Sequence, residues 1–199
     1  MENSKFQQNV WGAATVLGPL CLSISQFFWQ DGLVTVNGGL AQVFAFVFYL
    51  LAFQGMFNSL KSSMPRYAAL GFIIATYACF AGNNFGVEGI YAAVAGCTDI
   101  EAYRAWQALV GPVSNWYLFL PGILFPFSLL AIGFFLWRKN KVSLVAGGLT
   151  MLGAIGFPLS RIPRIELIAH IDNLILLLAG ILVAYELYLK ENPKAPEEA

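Results

Sequence analysis

The side chains able to do chemistry in this chain are few, and most fall in one stretch, Arg161-Ile-Pro-Arg164-Ile-Glu166-Leu-Ile-Ala-His170-Ile-Asp172-Asn173. His170 is the only histidine in the protein. Glu166, His170 and Asn173 stand at i, i+4 and i+7, so a helix through them puts all three on one face. A smaller concentration lies upstream, where Asn83, Asn84 and Glu88 interrupt an apolar run. A carboxyl group and an imidazole brought together in a half-dry site are the usual equipment for general acid–base catalysis near neutral pH. Glu88 and His170 are therefore expected as acid and base, with Glu166 beside them. Arg161 and Arg164 supply cations, and Asn83, Asn84, Asn173 and Gln42 supply hydrogen bonds to hold a substrate. Asp172 sits about 100° round the helix from Asn173 and should turn to a different partner, an arginine or the membrane interface itself.

The inventory excludes several other chemistries. Every lysine lies at a helix end or in a tail, so none can carry a mid-membrane Schiff base. A single histidine cannot provide a bis-histidine haem or a multi-histidine metal site. Neither a phosphate-cradling glycine loop nor a Gly-x-Ser-x-Gly elbow is present. Cys21, Cys79 and Cys97 are widely spaced, without a redox or metal pair. No cofactor and no metal are expected. The eleven basic and eleven acidic residues cancel and form no basic stripe, so nucleic acid is not an expected partner.

The elements that must position these residues are dictated by apolarity. Of the 199 residues 58% are hydrophobic and only 11% charged, with a mean hydropathy of +0.68, which is far outside the range of soluble domains. The chain reads as an all-α integral membrane protein. A hydrocarbon layer about 30 Å thick takes roughly 20 helical residues, and that ruler divides the chain into six transmembrane helices in one bundle. They cover about Trp11–Trp29, Leu33–Phe57, Arg66–Gly96, Asn115–Trp137, Val142–Ser160 and Pro163–Leu189, with Asp31-Gly32 as a tight turn. The first reads as a retained span, because no small-residue cleavage site follows it. Residues 1–190 then form a single domain, and 191–199, charged and proline-bearing, a disordered cytoplasmic tail.

Lysines and arginines concentrate at one set of connections: Lys5, Lys61, Arg66, Arg138, Lys139, Lys141, Lys190 and Lys194, against only Arg104, Arg161 and Arg164 on the other side. That bias puts both termini in the cytoplasm of a multi-pass protein of the plasma or inner membrane. Between the third and fourth helices, residues 98–110 read as a short amphipathic helix on the outer surface, with Thr98 and Glu101 at capping-box spacing. Ile100, Tyr103, Trp106 or Gln107, and Val110 share its face, and the helix could serve as a lid.

Counting about 1.5 Å per residue from the inner face brings Asn83, Asn84, Glu88, His170, Asn173, Gln42 and Arg161 to one level near the outer leaflet. Charged groups facing lipid cost about 2.5–3.5 kcal/mol even on lenient scales, so these should face the bundle interior. Along the third helix Cys79, Gly82, Gly86, Gly89, Ala93 and Gly96 form a small-residue stripe suited to close packing. The alternative there is a helix broken between Gly82 and Gly89 to expose its ends.

The function these features support is a polar pocket near the outer leaflet that binds a membrane lipid or other amphiphilic small molecule, with acid–base chemistry on it as an extension. A small proton-coupled transporter is the alternative, working as a homo-oligomer because six short helices make a thin pathway. A third reading is a non-catalytic accessory subunit docked through the glycine stripe.

Overall fold

Short polar side chains open the helices where the apolar runs begin. Ser4 accepts a hydrogen bond from the Gln7 amide, Thr35 from Gly38 and Ser143 from Ala146. Pro65 occupies a first turn, where its missing N–H leaves nothing unpaired. The computed structural model describes residues 4–30, 33–109, 111, 116–117 and 120–190. In chain order it has α1 (Lys5–Gln26), a two-strand hairpin of β1 (Trp29–Gln30) and β2 (Leu33–Val34), α2 (Val36–Leu60), α3 (Pro65–Val94) and the short α4 (Ile100–Ala108). A 3-10 turn, Leu120–Ile123, leads into α5 (Leu124–Arg138). Then follow α6 (Leu144–Arg161) and α7 (Glu166–Ala184), which ends in a π turn, Tyr185–Leu189.

The described residues are all-α apart from the hairpin, which pairs Trp29 with Val34 and Gln30 with Leu33 in antiparallel register. Among the described residues five helices are long and apolar enough to cross a membrane: α2, α3, α5 with its leading turn, α6, and α7 with its π turn. α1 has the length, 22 residues, but Asn9, Thr15, Ser23, Ser25 and Gln26 dilute its apolar run. Hydroxyls inside the helices satisfy themselves on the preceding turn, as Thr15 does on Trp11, Thr76 on Phe72 and Thr150 on Ala146. Large apolar side chains point outward from the bundle, Phe44, Leu70, Ile73, Leu152 and Leu174 among them, which suits a lipid surround.

The first helix starts at Lys5 rather than Trp11, because Ser4 can cap it there. α3 runs unbroken through Gly82–Gly89. The cap of α4 is Asp99 and not Thr98: its carboxylate accepts from the Glu101 and Ala102 amides at 2.9 and 2.8 Å. An aspartate at that position adds charge to the cap, which the helix dipole favours. The turn at Asp31-Gly32, the start of the fourth span at Asn115, Val110 and the tail 191–199 lie outside the described residues.

The helices close into a ring. α1 packs on α2, α2 on α3, α3 on α5, α5 on α6, α6 on α7, and α7 back on α1. Its middle is filled by Phe125 of α5, set edge-on to Phe46 and Tyr49 of α2 and against Phe157 of α6. Below them Phe53, Leu60, Leu129, Ile132 and Leu136 are fully buried.

Glycines let neighbouring backbones touch. A Cβ on Gly39 of α2 would sit 2.6 Å from both the Gly86 carbonyl oxygen and Ile90 Cγ1 of α3, and one on Gly82 would collide with the Phe46 ring. The small-residue stripe of α3 is thus the seam with α2. Gly39→Ala should cost about 1–3 kcal/mol, since backbone cannot move aside as a side chain can. Thermal unfolding in detergent reads this, with Gly148→Ala as control, because nothing lies within 4 Å of that position. Equal melting temperatures for the two variants would show that the seam tolerates a methyl.

Candidate functional site

The ends of the helices remote from the Lys61–Arg66 and Arg138–Lys141 connections enclose a cleft of about 670 Å³. Its walls come from the hairpin, the last turns of α3, α4, the start of α5 and the end of α6. Trp29, Leu33, Phe85, Pro126 and Phe157 make most of the lining apolar. Gln42, Tyr103, Gln107, Arg161 and Arg164 add polar atoms at its margin.

Under α4, beside this cleft, lies Glu88, only 4% exposed. The groups facing its carboxylate are the Tyr103 and Gln107 side chains and the Arg164 guanidinium. Neither carboxylate oxygen reaches a partner in full hydrogen-bond geometry. Tyr103 and Gln107 stand one turn apart on α4, so the helix directs both downward. Tyr103 is the buried residue of α4, and the Arg164 guanidinium covers its ring at 4.8 Å. Arg164 holds the left-handed region at φ 57°, costly for a side chain with a Cβ, in the turn that follows α6. Burial, and after it the Glu88 charge, pushes the Tyr103 phenol above its ordinary range, so its hydroxyl remains a donor at physiological pH.

A second cluster joins α6 to α7 and α1. One Arg161 nitrogen donates to the Ser160 hydroxyl at 2.6 Å and to Asp172 Oδ2 at 3.3 Å, and the other donates to Asn173 Oδ1. Asn173 in turn donates to the Leu22 carbonyl of α1 at 3.1 Å. The guanidinium also lies 4.5 Å from the Phe157 ring, on the cleft wall. Gly156 makes room for this pair, because a Cβ there would strike the Asp172 carboxylate.

The expected site residues are therefore divided. Glu88 meets Arg164, and Arg161 meets Asn173 together with Asp172. Asp172 finds an arginine, but not the separate partner its angular position suggested, because the same Arg161 also holds Asn173. Gln42 donates to the Gly82 carbonyl at 3.4 Å on the cleft margin. Asn83 and Asn84 are half-buried on α3, and the Asn83 carbonyl oxygen faces no donor. His170 is half-buried with its ring 4.8 Å from Phe27. Glu166 is exposed, because it opens α7 beyond the end of the packed ring. The helix face drawn through Glu166, His170 and Asn173 thus enters the interior only at Asn173. α3 and α7 stand across the ring from each other, so Glu88 and His170 occupy different surroundings. Reasoning from sequence missed Tyr103 and Gln107 as the groups on Glu88, although their i, i+4 spacing on an amphipathic helix marked them as one face. Among the described residues no three His, Cys, Asp or Glu gather as metal ligands would.

Comparison with known proteins yields no match. No family model, no curated protein and no solved structure matches this chain. Function must be read from the site: a largely apolar recess with hydrogen-bonding groups on one side can hold an apolar body by its polar end.

Proposed function

We propose that this chain is a multi-pass protein of the plasma or inner membrane that binds a lipid or other amphiphilic small molecule in the cleft beside Glu88. In this reading α1 crosses with the five apolar helices, giving six spans with both termini cytoplasmic. The Lys61, Arg66, Arg138, Lys139 and Lys141 connections lie at the end away from the cleft, which supports a cytoplasmic location for them and an outer-leaflet location for the cleft. α4 then lies at the outer surface over the cleft.

The observation that carries this reading is the cleft itself, about 670 Å³ with mainly apolar walls and a buried carboxylate beside it. Any acid–base step on the bound molecule would run through Glu88, since His170 keeps to the far side of the ring. Transport is favoured less, because among the described residues the buried core beneath the cleft, with Phe53, Phe125, Leu129, Ile132 and Leu136, holds no charged side chain.

Gentle solubilisation followed by native mass spectrometry tests the reading. The wild type should retain an amphiphile, and Ala93→Trp, which fills the cleft from its α3 wall, should lose most of it while remaining folded. A wild type that carries nothing, or a tryptophan variant that retains as much, would sink the proposal.

A further inference from the structure

We infer that the polar end of the ligand is a single neutral hydroxyl group, which takes the position that Tyr103 holds between Glu88 and Arg164. This rests on the binding cleft proposed above and narrows its ligand class.

The first reason is charge balance. Each arginine at the cleft already faces a buried carboxylate: Arg161 pairs with Asp172, and Arg164 is the cation beside Glu88. A phosphate or carboxylate head group would have to approach Glu88 while finding both guanidiniums engaged. An ammonium group would bring a second cation to a carboxylate that has one. Either leaves a charge uncompensated in a dry site, at a cost a neutral group does not incur.

The second reason is that Tyr103 and Gln107 face Glu88 without completing its hydrogen bonds. Its side chain is almost wholly buried, and both oxygens lack a partner in full hydrogen-bond geometry. A buried acceptor in that condition calls for a donor. A hydroxyl provides one and accepts in return, from the Gln107 amide or the Arg164 guanidinium.

The third reason is Tyr103 itself. It is an apolar body ending in one hydroxyl, with its ring under Arg164 and its hydroxyl toward Glu88. It is a covalently attached surrogate of the ligand inferred here. In the exchange its helix swings aside. Gly96 and Gly111 flank α4 in the left-handed region, at φ 82° and 81°, and nothing lies within 4 Å of the Cβ position of either. Among the described residues no other element packs extensively along α4. Tyr103 can therefore withdraw with α4 as the ligand hydroxyl arrives, and the ligand's apolar body occupies the cleft.

The experiment uses the full chain in phosphatidylcholine nanodiscs with radiolabelled hexadecanol, competed by unlabelled hexadecanol, hexadecylamine or palmitate. The alcohol should compete about 10-fold or more better than the amine or the acid, the difference expected from roughly 1.4 kcal/mol. Tyr103→Phe removes the internal hydroxyl and keeps the ring, so hexadecanol should bind several-fold more tightly. Glu88→Gln should weaken it by about 10-fold, a loss typical of a hydrogen bond to a charged group. Preference for the amine or the acid overturns the hydroxyl assignment and leaves the cleft standing. Unchanged affinity in Tyr103→Phe overturns the exchange with Tyr103, and that variant retains Glu88 should Glu88→Gln misfold. Failure of hexadecanol to bind at all overturns the inference. The cleft itself fails separately, on the absence of any co-purified amphiphile in the wild type.

Discussion

Replacing Arg161 with alanine should destabilise the protein by about 3–5 kcal/mol, the range for breaking a buried ion pair from one side. Asp172 and Asn173 are 2% and 1% exposed, so neither can turn to water when the guanidinium is gone. The Asp172 carboxylate would be left with one oxygen that already lacks a partner and a second that has just lost its own. Asn173 would keep its bond to the Leu22 carbonyl but lose its donor from Arg161. The damage therefore reaches three helices, α6, α7 and α1. For a chain of this size the melting temperature in detergent should fall on the order of 10 °C. Arg161→Met combined with Asp172→Leu should recover most of the loss, because removing both charges also removes their desolvation penalty. If the alanine variant melts with the wild type, the pair contributes nothing to holding those helices together. If the double variant is the worse of the two, the charges are needed as such, and the simple account of an orphaned carboxylate is wrong.

What the sequence permitted and what it withheld follow from one geometric fact. Position along a membrane helix can be counted in residues, so α2, α3, α6 and α7 appear close to the bounds their apolar runs suggested, and the polar groups can be assigned a common depth. Position around the bundle cannot be counted. Residue counting gives Glu88 and His170 one depth, yet they lie on helices that face across the ring, an order to which close contacts such as Gly39 on Gly86 belong. Asp172 was legible in part, because a carboxylate about 100° off the Asn173 face needs some cation; that Arg161 would reach both residues at once depends on the turn between α6 and α7. Arg164 shows the same limit. Its left-handed backbone aims the guanidinium over Tyr103, and nothing in Ile162-Pro163-Arg164 announces that geometry. The cap of α4 was misassigned for a smaller reason, since Thr98 and Asp99 are adjacent and both can cap. The side chain that bonded to two amides was the charged one.

Phe125→Ala should produce an effect as large as loss of Arg161, about 3–5 kcal/mol, through cavity formation alone. Phe125 is wholly buried, and its ring lies 4.9 Å from Phe46, 4.8 Å from Tyr49 and 5.1 Å from Phe157. It is the side chain through which α2, α5 and α6 meet. Lipid tails are as apolar as phenylalanine, so what the variant loses is close packing more than transfer from water. Phe125→Leu keeps most of the volume and should cost less than about 1.5 kcal/mol. The consequence should also reach the cleft. Phe157 rests on Phe125 on one side and carries the Arg161 guanidinium at 4.5 Å on the other, so a void beneath it removes the platform on which Arg161 is held. The two large effects should then be coupled: Phe125→Ala and Arg161→Ala together should depart from additivity by about 0.5–3 kcal/mol in a double-mutant cycle. Melting temperatures that simply sum would mean that the aromatic centre and the polar wall stand independently, and that Phe157 transmits nothing between them.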